Sequence, residues 1–164
     1  MPNGGWTVST RLELAGGRGR LSDMVAALNE RNTPFGLVVT GEAQTWQPAL
    51  EQIVGPRWLT TYAVRGGEEL LEVVSAGLVD AAVLDDSADL GRDVLQMLRM
   101  IRRVDQSLPV VMITAHRDRR WLEHALRLAA FSVIVRPLEL ESLLRQLELI
   151  MRRLDAMLRM DAGE

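Results

Sequence analysis

The feature that most constrains this chain is the regular alternation, from Pro34 onward, of short apolar runs with stretches of helical periodicity. The predicted strands are residues 35–40, 58–64, 81–84, 109–113 and 131–135. The predicted helices between and after them are residues 45–54, 68–76, 94–104, 119–128 and 139–160. Strands that alternate with helices favour a parallel sheet with right-handed crossovers. We therefore predict an α/β domain with a doubly wound parallel sheet of five strands.

The central strand of this pattern ends in two carboxylates. Residues 81–84 are wholly apolar, and Asp85 and Asp86 follow them directly. A continuous apolar run of this length is typical of a parallel strand that is covered on both faces. Because the carboxyl ends of such strands open into the binding crevice of an α/β sheet, we expect a functional site around the two carboxylates.

Composition excludes several classes of protein. The 164 residues contain no cysteine, which rules out disulfides and thiolate metal sites, and no apolar run approaches the roughly 18 residues of a membrane span. A formal charge of −3 gives no reason to expect nucleic acid as a general partner. No secretory signal pattern opens the chain. We predict a cytoplasmic protein without a membrane partner.

The first 34 residues are predicted to form an extension of the domain. Residues 6–14 alternate apolar and polar side chains like a half-buried strand, a glycine-rich loop follows, and Ser22 suits the start of a short helix. A glycine loop between strand and helix, here Gly16–Gly19, leaves open a nucleotide-binding or small-ligand function, although the lysine of a P-loop is missing. We divide the chain into residues 1–34 (extension), 35–150 (domain) and 151–164 (extension of the last helix).

Four segments in order carry a family resemblance: Asp80–Asp85, Pro109–Ala115, the small-residue turn Ala125–Ala130, and Val135-Arg136-Pro137. Together they resemble the flavodoxin-like receiver domain of bacterial two-component response regulators, over about residues 35–150. The resemblance implies that Asp85 is the phospho-accepting residue and that Thr114 is the switch hydroxyl. It also places Arg136 at the position of a lysine that precedes proline, typically through a cis peptide.

The chain departs from the family at the metal site. Receivers have an acidic pair at the end of the first strand that helps to hold Mg²⁺, and Thr40 and Gly41 stand at those two places. Magnesium in proteins is usually held by carboxylates and water, so its binding is expected to be weak here. Glu42 lies one position late, and Asp86 is expected to point away from Asp85 if the strand continues. These two residues remain candidate substitute ligands.

Two further departures concern the switch. Arg136 could pair permanently with Asp85 and mimic a clamped, charged state, or it could simply reflect the absence of lysine from the whole chain. Val133 stands where the family has an aromatic switch residue, and the loop after Asp85 lacks the family's proline. The resemblance therefore indicates a degenerate receiver, or pseudo-receiver.

The last helix is the first candidate interaction surface. Its apolar residues follow a heptad-like spacing that extends past the length needed to cover the sheet. We expect the residues from Ile150 onward to be exposed, and we predict a homodimer through this helix. Coverage by the N-terminal extension is the alternative. The predicted contact residues are Ile150, Leu154, Met157 and Leu158.

The second candidate surface is the start of the fourth helix. Trp121 lies beside Arg117, Arg119 and Arg120, a composition typical of an interface hot spot, although a solvated helix start with a half-buried tryptophan explains it equally well. No catalytic arrangement or histidine metal site is predicted.

From these observations we predict a non-enzymatic, phosphorylation-independent interaction module, an adaptor or regulator in two-component signalling or a phosphorelay. It is expected to bind a protein partner and to need no cofactor. Two alternatives remain: a functional receiver that phosphorylates Asp85 with atypical metal ligands, and the nucleotide-binding or small-ligand domain. The sequence leaves open whether the chain is complete or a fragment.

Overall fold

The computed structural model describes residues 34–41, 43–88, 91 and 93–162, and the side chains of all of these except 43, 44, 155 and 157–162. Its strands form one parallel sheet in the order β2-β1-β3-β4-β5. They are β1 (Phe35–Val39), β2 (Leu59–Ala63), β3 (Ala81–Asp85), β4 (Val110–Thr114) and β5 (Ser132–Val135). The predictions for residues 1–33 and for Glu42 lie outside the described residues.

Five helices cover the two faces of this sheet. They are α1 (Ala43–Val54), α2 (Gly67–Ser75), α3 (Val94–Val104), α4 (Arg119–Arg127) and α5 (Leu140–Ala162). One apolar cluster joins α1 and α5 to one face, and a second cluster joins α2, α3 and α4 to the other. The predicted fold is confirmed, and the predicted ends of these elements differ from the observed ones by two residues or fewer. No helix in the described part of the chain is long and apolar enough to cross a membrane.

The sequence explains why these elements form where they do. Strands β1, β3 and β4 are buried along their whole length, which requires the continuous apolar runs seen in the sequence. Two helices begin at aspartate caps: the Asp93 carboxylate accepts from the Leu95 amide at 2.7 Å, and the Asp118 carboxylate accepts from the Trp121 amide at 3.1 Å. These caps fix the first turns of α3 and α4.

The last helix packs on the domain further than the sequence predicts. Ile150 is fully buried and Met151 is 4% exposed, both within the cluster that joins α1 and α5 to the sheet. Leu154 is partly buried against the same cluster, beside Phe131 at the start of β5. The prediction that Ile150 is exposed is therefore wrong, because the apolar surface under α5 continues beyond the strands. The side chains of Met157 and Leu158 lie outside the described residues.

Arg102 joins two loops at the end of the sheet opposite the carboxylates. Its guanidinium donates to the carbonyl oxygens of Leu108 at 2.7 Å, Ala129 at 2.8 Å and Leu128 at 3.2 Å. Burial lowers the pKa of this guanidinium, and the nearby Asp105 acts in the opposite direction. Since these carbonyls belong to the loops before β4 and β5, Arg102 fixes both strand entries from the last turn of α3.

The approach of β1 to the loop before β3 predicts a steric effect. A methyl group added at Gly36 would lie 2.5 Å from the Leu78 carbonyl oxygen, whereas one added at Gly66 would meet no atom within 4 Å. We expect Gly36→Ala to lower the free energy of unfolding by about 1–3 kcal/mol, because backbone must shift. Gly66→Ala, the matched control, should cost less than about 1 kcal/mol. Urea unfolding of both variants checks this, and equal losses would contradict it.

Candidate functional site

Residues at or just after the ends of four strands lie at one edge of the sheet. Thr40 follows β1, Asp85 ends β3, Thr114 ends β4, and Arg136 follows β5. Parallel strands end at the same side, so these four residues of different segments meet there. The Arg136–Pro137 peptide is cis, as the family resemblance implies.

Asp85 lies at the bottom of this site. It is 1% exposed, and its backbone amide donates to the Thr40 hydroxyl at 2.9 Å. One carboxylate oxygen, Oδ1, accepts from the Ser87 amide at 2.9 Å and from Nη2 of Arg136. The contact between Arg136 and Asp85 that the sequence suggested is therefore present. It joins a permanently charged guanidinium to a buried carboxylate.

Asp86 does not point away from this site. Strand β3 ends at Asp85, and Asp86 begins a turn, so the side-chain alternation of a strand no longer applies. Its Oδ2 accepts from the Thr114 hydroxyl at 2.5 Å and from the Ala115 amide at 3.1 Å, and its Oδ1 lies 3.9 Å from Nε of Arg136. Both carboxylates thus face one guanidinium, which corrects the predicted orientation of Asp86.

Gly41 closes the site from the β1 side. A methyl group built on it would lie 2.7 Å from Cβ and 3.0 Å from Cγ of Asp85. Its φ of +74° is also in the left-handed region that favours glycine. The position that holds a family carboxylate is therefore occupied by backbone packed directly against Asp85.

The described residues do not fit a magnesium ion. Mg²⁺ needs near-octahedral oxygen ligands, mostly carboxylates and water. Among residues 34–41, 43–88, 91 and 93–162, no three histidine, aspartate or glutamate residues are grouped to hold a metal. The Thr40 hydroxyl faces the Val83 carbonyl and the Asp85 amide, and the Asp85 carboxylate contacts Arg136. The role predicted for Glu42 lies outside the described residues, as does the Gly16–Gly19 loop.

The loop after β4 connects the site to the predicted α4 surface. The Thr114 hydroxyl accepts from the His116 amide at 2.9 Å, and the His116 ring stacks on Trp121 with centroids 4.8 Å apart and planes 8° from parallel. Arg117 donates to the Arg136 carbonyl at 3.1 Å. Trp121 is partly buried against the sheet, so its ring is only partly available to a partner. Its role in an interface stays a prediction.

Two contributions to the site were missed by sequence reasoning. The Ser87 amide is a donor to Asp85, and an Asp-x-Ser turn of this kind could have been inferred from the short side chain of Asp85 at a strand end. The close approach of Gly41 to Asp85 has no sequence signal beyond the glycine itself, because it depends on how the β1 and β3 loops meet.

Comparisons with known proteins agree on the fold. A two-component response regulator from Clostridium difficile superimposes with a TM-score of 0.63 at 18% identity, covering 73% of this chain and 98% of that one. The CheX–CheY complex with BeF3 and Mg²⁺ from Borrelia burgdorferi gives 0.62 at 21% identity, covering 73% and 90%. A Burkholderia pseudomallei response regulator protein with a phosphorylated aspartate, calcium and citrate gives 0.58 at 13%, covering 77% and 74%. At these identities the structures show the fold alone.

Sequence comparison gives the family. No curated protein sequence matches the chain. The family model of the response regulator receiver domain matches residues 37–148, which is more than half of the chain. Those residues run from β1 into α5 and contain Asp85, Thr114 and Arg136. The chain belongs to the response regulator receiver domain family.

Proposed function

We propose that this receiver domain is a phosphorylation-independent protein-interaction module, an adaptor or regulator in bacterial signalling. The observation that carries the proposal is the contact of the Arg136 guanidinium with the buried Asp85 carboxylate. A buried carboxylate must be neutralised, and a guanidinium does so without a metal ion or a phosphoryl group. The site is then held in one charged state by the chain itself.

The hydrogen bonds of the two carboxylates support this proposal. Oδ1 of Asp85 already accepts from the Ser87 amide and from Arg136, so attack by this oxygen would require it to give up one of these contacts. The Thr114 hydroxyl gives its single proton to Asp86 at 2.5 Å. The hydroxyl that the resemblance assigns to the switch is therefore engaged within the domain.

The fifth strand also lacks the aromatic residue of the switch. Val133 is partly buried and packs against the cluster of α2, α3 and α4. A branched aliphatic side chain has few rotamers and no ring to move between a buried and an exposed position. Information would then pass through the surfaces of the domain rather than through a phosphorylation-driven rearrangement.

We further propose that the end of α5 makes a homodimer. The helix of 23 residues continues to Ala162, whereas the family match ends at residue 148. Because Ile150 and Met151 pack in the domain's own core, the proposed contact begins at Leu154 and includes Met157 and Leu158. The apolar spacing of these residues along the helix is that of a heptad seam.

The ion pair predicts energetic coupling between its two members. We expect Arg136→Met to lower the free energy of unfolding by roughly 3 kcal/mol, because it leaves the Asp85 carboxylate buried without a cation. Adding Asp85→Asn should recover part of this loss, with a coupling energy of at least about 1 kcal/mol. Urea unfolding of the two single variants and the double variant measures the coupling, and Arg65→Met serves as an exposed-arginine control. Additive losses would contradict the pairing.

Phosphorylation independence predicts that a small-molecule phosphoryl donor does not modify this chain. Incubation of the full chain with acetyl phosphate and Mg²⁺ should give no phosphoryl adduct in the intact mass, while a phosphorylation-competent receiver treated alongside should gain one. An adduct on this chain that disappears in Asp85→Ala would overturn the proposal. It would favour the alternative of a phospho-accepting receiver with Glu42 or Asp86 as atypical metal ligands.

The proposed dimer predicts that removal of the end of α5 converts a dimer into a monomer. Light scattering coupled to gel filtration should give the full chain twice the monomer mass, and a chain that stops after Met151 should be a monomer. Stopping there keeps Ile150 and Met151 in the core, so a single cooperative unfolding transition is expected to remain. A monomeric full chain, or a truncated chain that still dimerises, would contradict the proposed contact.

A further inference from the structure

Helices α3 and α4 carry basic side chains where they face each other. Arg99 and Arg103 are one turn apart on α3. Arg120, His124 and Arg127 follow on one face of α4 at spacings of four and three residues. All four arginines are exposed. We call these five residues the arginine seam.

One contact shows that the two rows face each other. Nη2 of Arg99 lies 2.9 Å from Nε2 of His124. A guanidinium can only donate, so Nε2 of His124 accepts in this contact. One turn further along both helices, Arg102 donates to the Leu128 carbonyl at 3.2 Å, so the neighbouring residues Arg103 and Arg127 lie at about the same level. Arg120 lies one turn above His124, and the seam is about 10 Å long along α4.

The seam differs from the other arginine-bearing helix surfaces in its lack of acidic partners. On α4 and α5, arginines pair with a glutamate four residues away, as in Arg119 with Glu123 and Arg145 with Glu141. Within the part of the chain that the structure describes, no carboxylate lies within 4 Å of a seam arginine. Four like charges thus stand on facing helices without a carboxylate within ion-pair distance, although the whole chain carries a formal charge of −3.

We propose that the arginine seam binds an acidic helix of a protein partner. Glutamates or aspartates at positions i, i+4 and i+7 of a helix extend over the same 10 Å as Arg120 to Arg127. The outer two carboxylates then match the guanidiniums of Arg120 and Arg127 in spacing, and the middle one falls level with Arg99, which contacts His124. The groove between two helices suits a third helix laid along it. The inference rests on the interaction module proposed above and gives it a class of partner. Peptide binding measures it, whereas the chemistry of Asp85 is tested separately.

Charge distribution favours an acidic protein over nucleic acid. Helix α2 packs beside α3 on the same face of the sheet and exposes Glu68, Glu69 and Glu72. These carboxylates lower the positive potential of this face outside the seam, which disfavours an extended polyanion more than a short acidic helix. The overall negative charge also differs from that of nucleic-acid-binding domains, which are generally basic.

Binding of a designed probe tests the proposal on the full chain. The probe is a fluorescein-labelled, alanine-based helical peptide with glutamates at i, i+4 and i+7, and the control peptide has glutamines at those positions. Fluorescence anisotropy at low salt should show binding of the glutamate peptide that weakens as salt is added. The seam variant carries Arg103→Gln, Arg120→Gln and Arg127→Gln. A charge-matched control variant carries Arg65→Gln, Arg145→Gln and Arg153→Gln, which are exposed arginines outside the seam.

We expect the seam variant to bind the glutamate peptide about tenfold more weakly than the native chain, and the control variant to change by less than about twofold. Equal losses in the two variants would show a general charge effect and overturn the proposal. It would also be overturned by absence of binding, by equal binding of the glutamine peptide, or by tighter binding of a single-stranded DNA oligonucleotide under the same conditions. The urea unfolding midpoints of both variants are measured as well. Midpoints equal to that of the native chain establish that the substitutions leave the fold intact.

Discussion

The ion pair between Arg136 and Asp85 is the interaction on which the functional end of the domain depends. The central strand delivers a carboxylate to a position that is 1% exposed, and an unpaired charge at such depth costs several kcal/mol. The guanidinium that follows β5 supplies the missing charge and, at 3.9 Å, also approaches Asp86. Neutralisation is thereby built into the chain, and the described residues leave no metal-binding group for that task.

Arginine organises both ends of this sheet in different ways. At the carboxyl end, Arg136 joins β5 to the end of β3 through a charged contact. At the opposite end, Arg102 joins the loops before β4 and β5 through carbonyl oxygens. The planar guanidinium with five donors suits both tasks, since it can contact several acceptors at once.

Sequence reasoning predicted the fold well because the apolar runs and helical periodicities follow directly from burial. The family resemblance also named Asp85, Thr114 and Arg136, and these residues meet in the structure because parallel strands end at one edge. Sequence reasoning failed where the outcome depends on the end of an element. Asp86 faces Arg136 because β3 ends at Asp85 and a turn begins at Asp86. Ile150 is buried because the apolar surface under α5 is longer than the strands. The meeting of Arg99 with His124 depends on the spacing of two helices, which no local pattern encodes.

We propose that the chain's own guanidinium holds the Asp85 site, so that the site does not respond to a phosphoryl group. The most direct test is to record amide NMR spectra of the full chain with and without beryllofluoride, a phosphoryl mimic, and Mg²⁺. We predict that the amides of Asp85, Ser87 and Ala115 keep their chemical shifts, because their hydrogen bonds to Thr40, Asp85 and Asp86 persist. Saturable shifts concentrated at these three amides would contradict the account and show that the site opens to an external ligand.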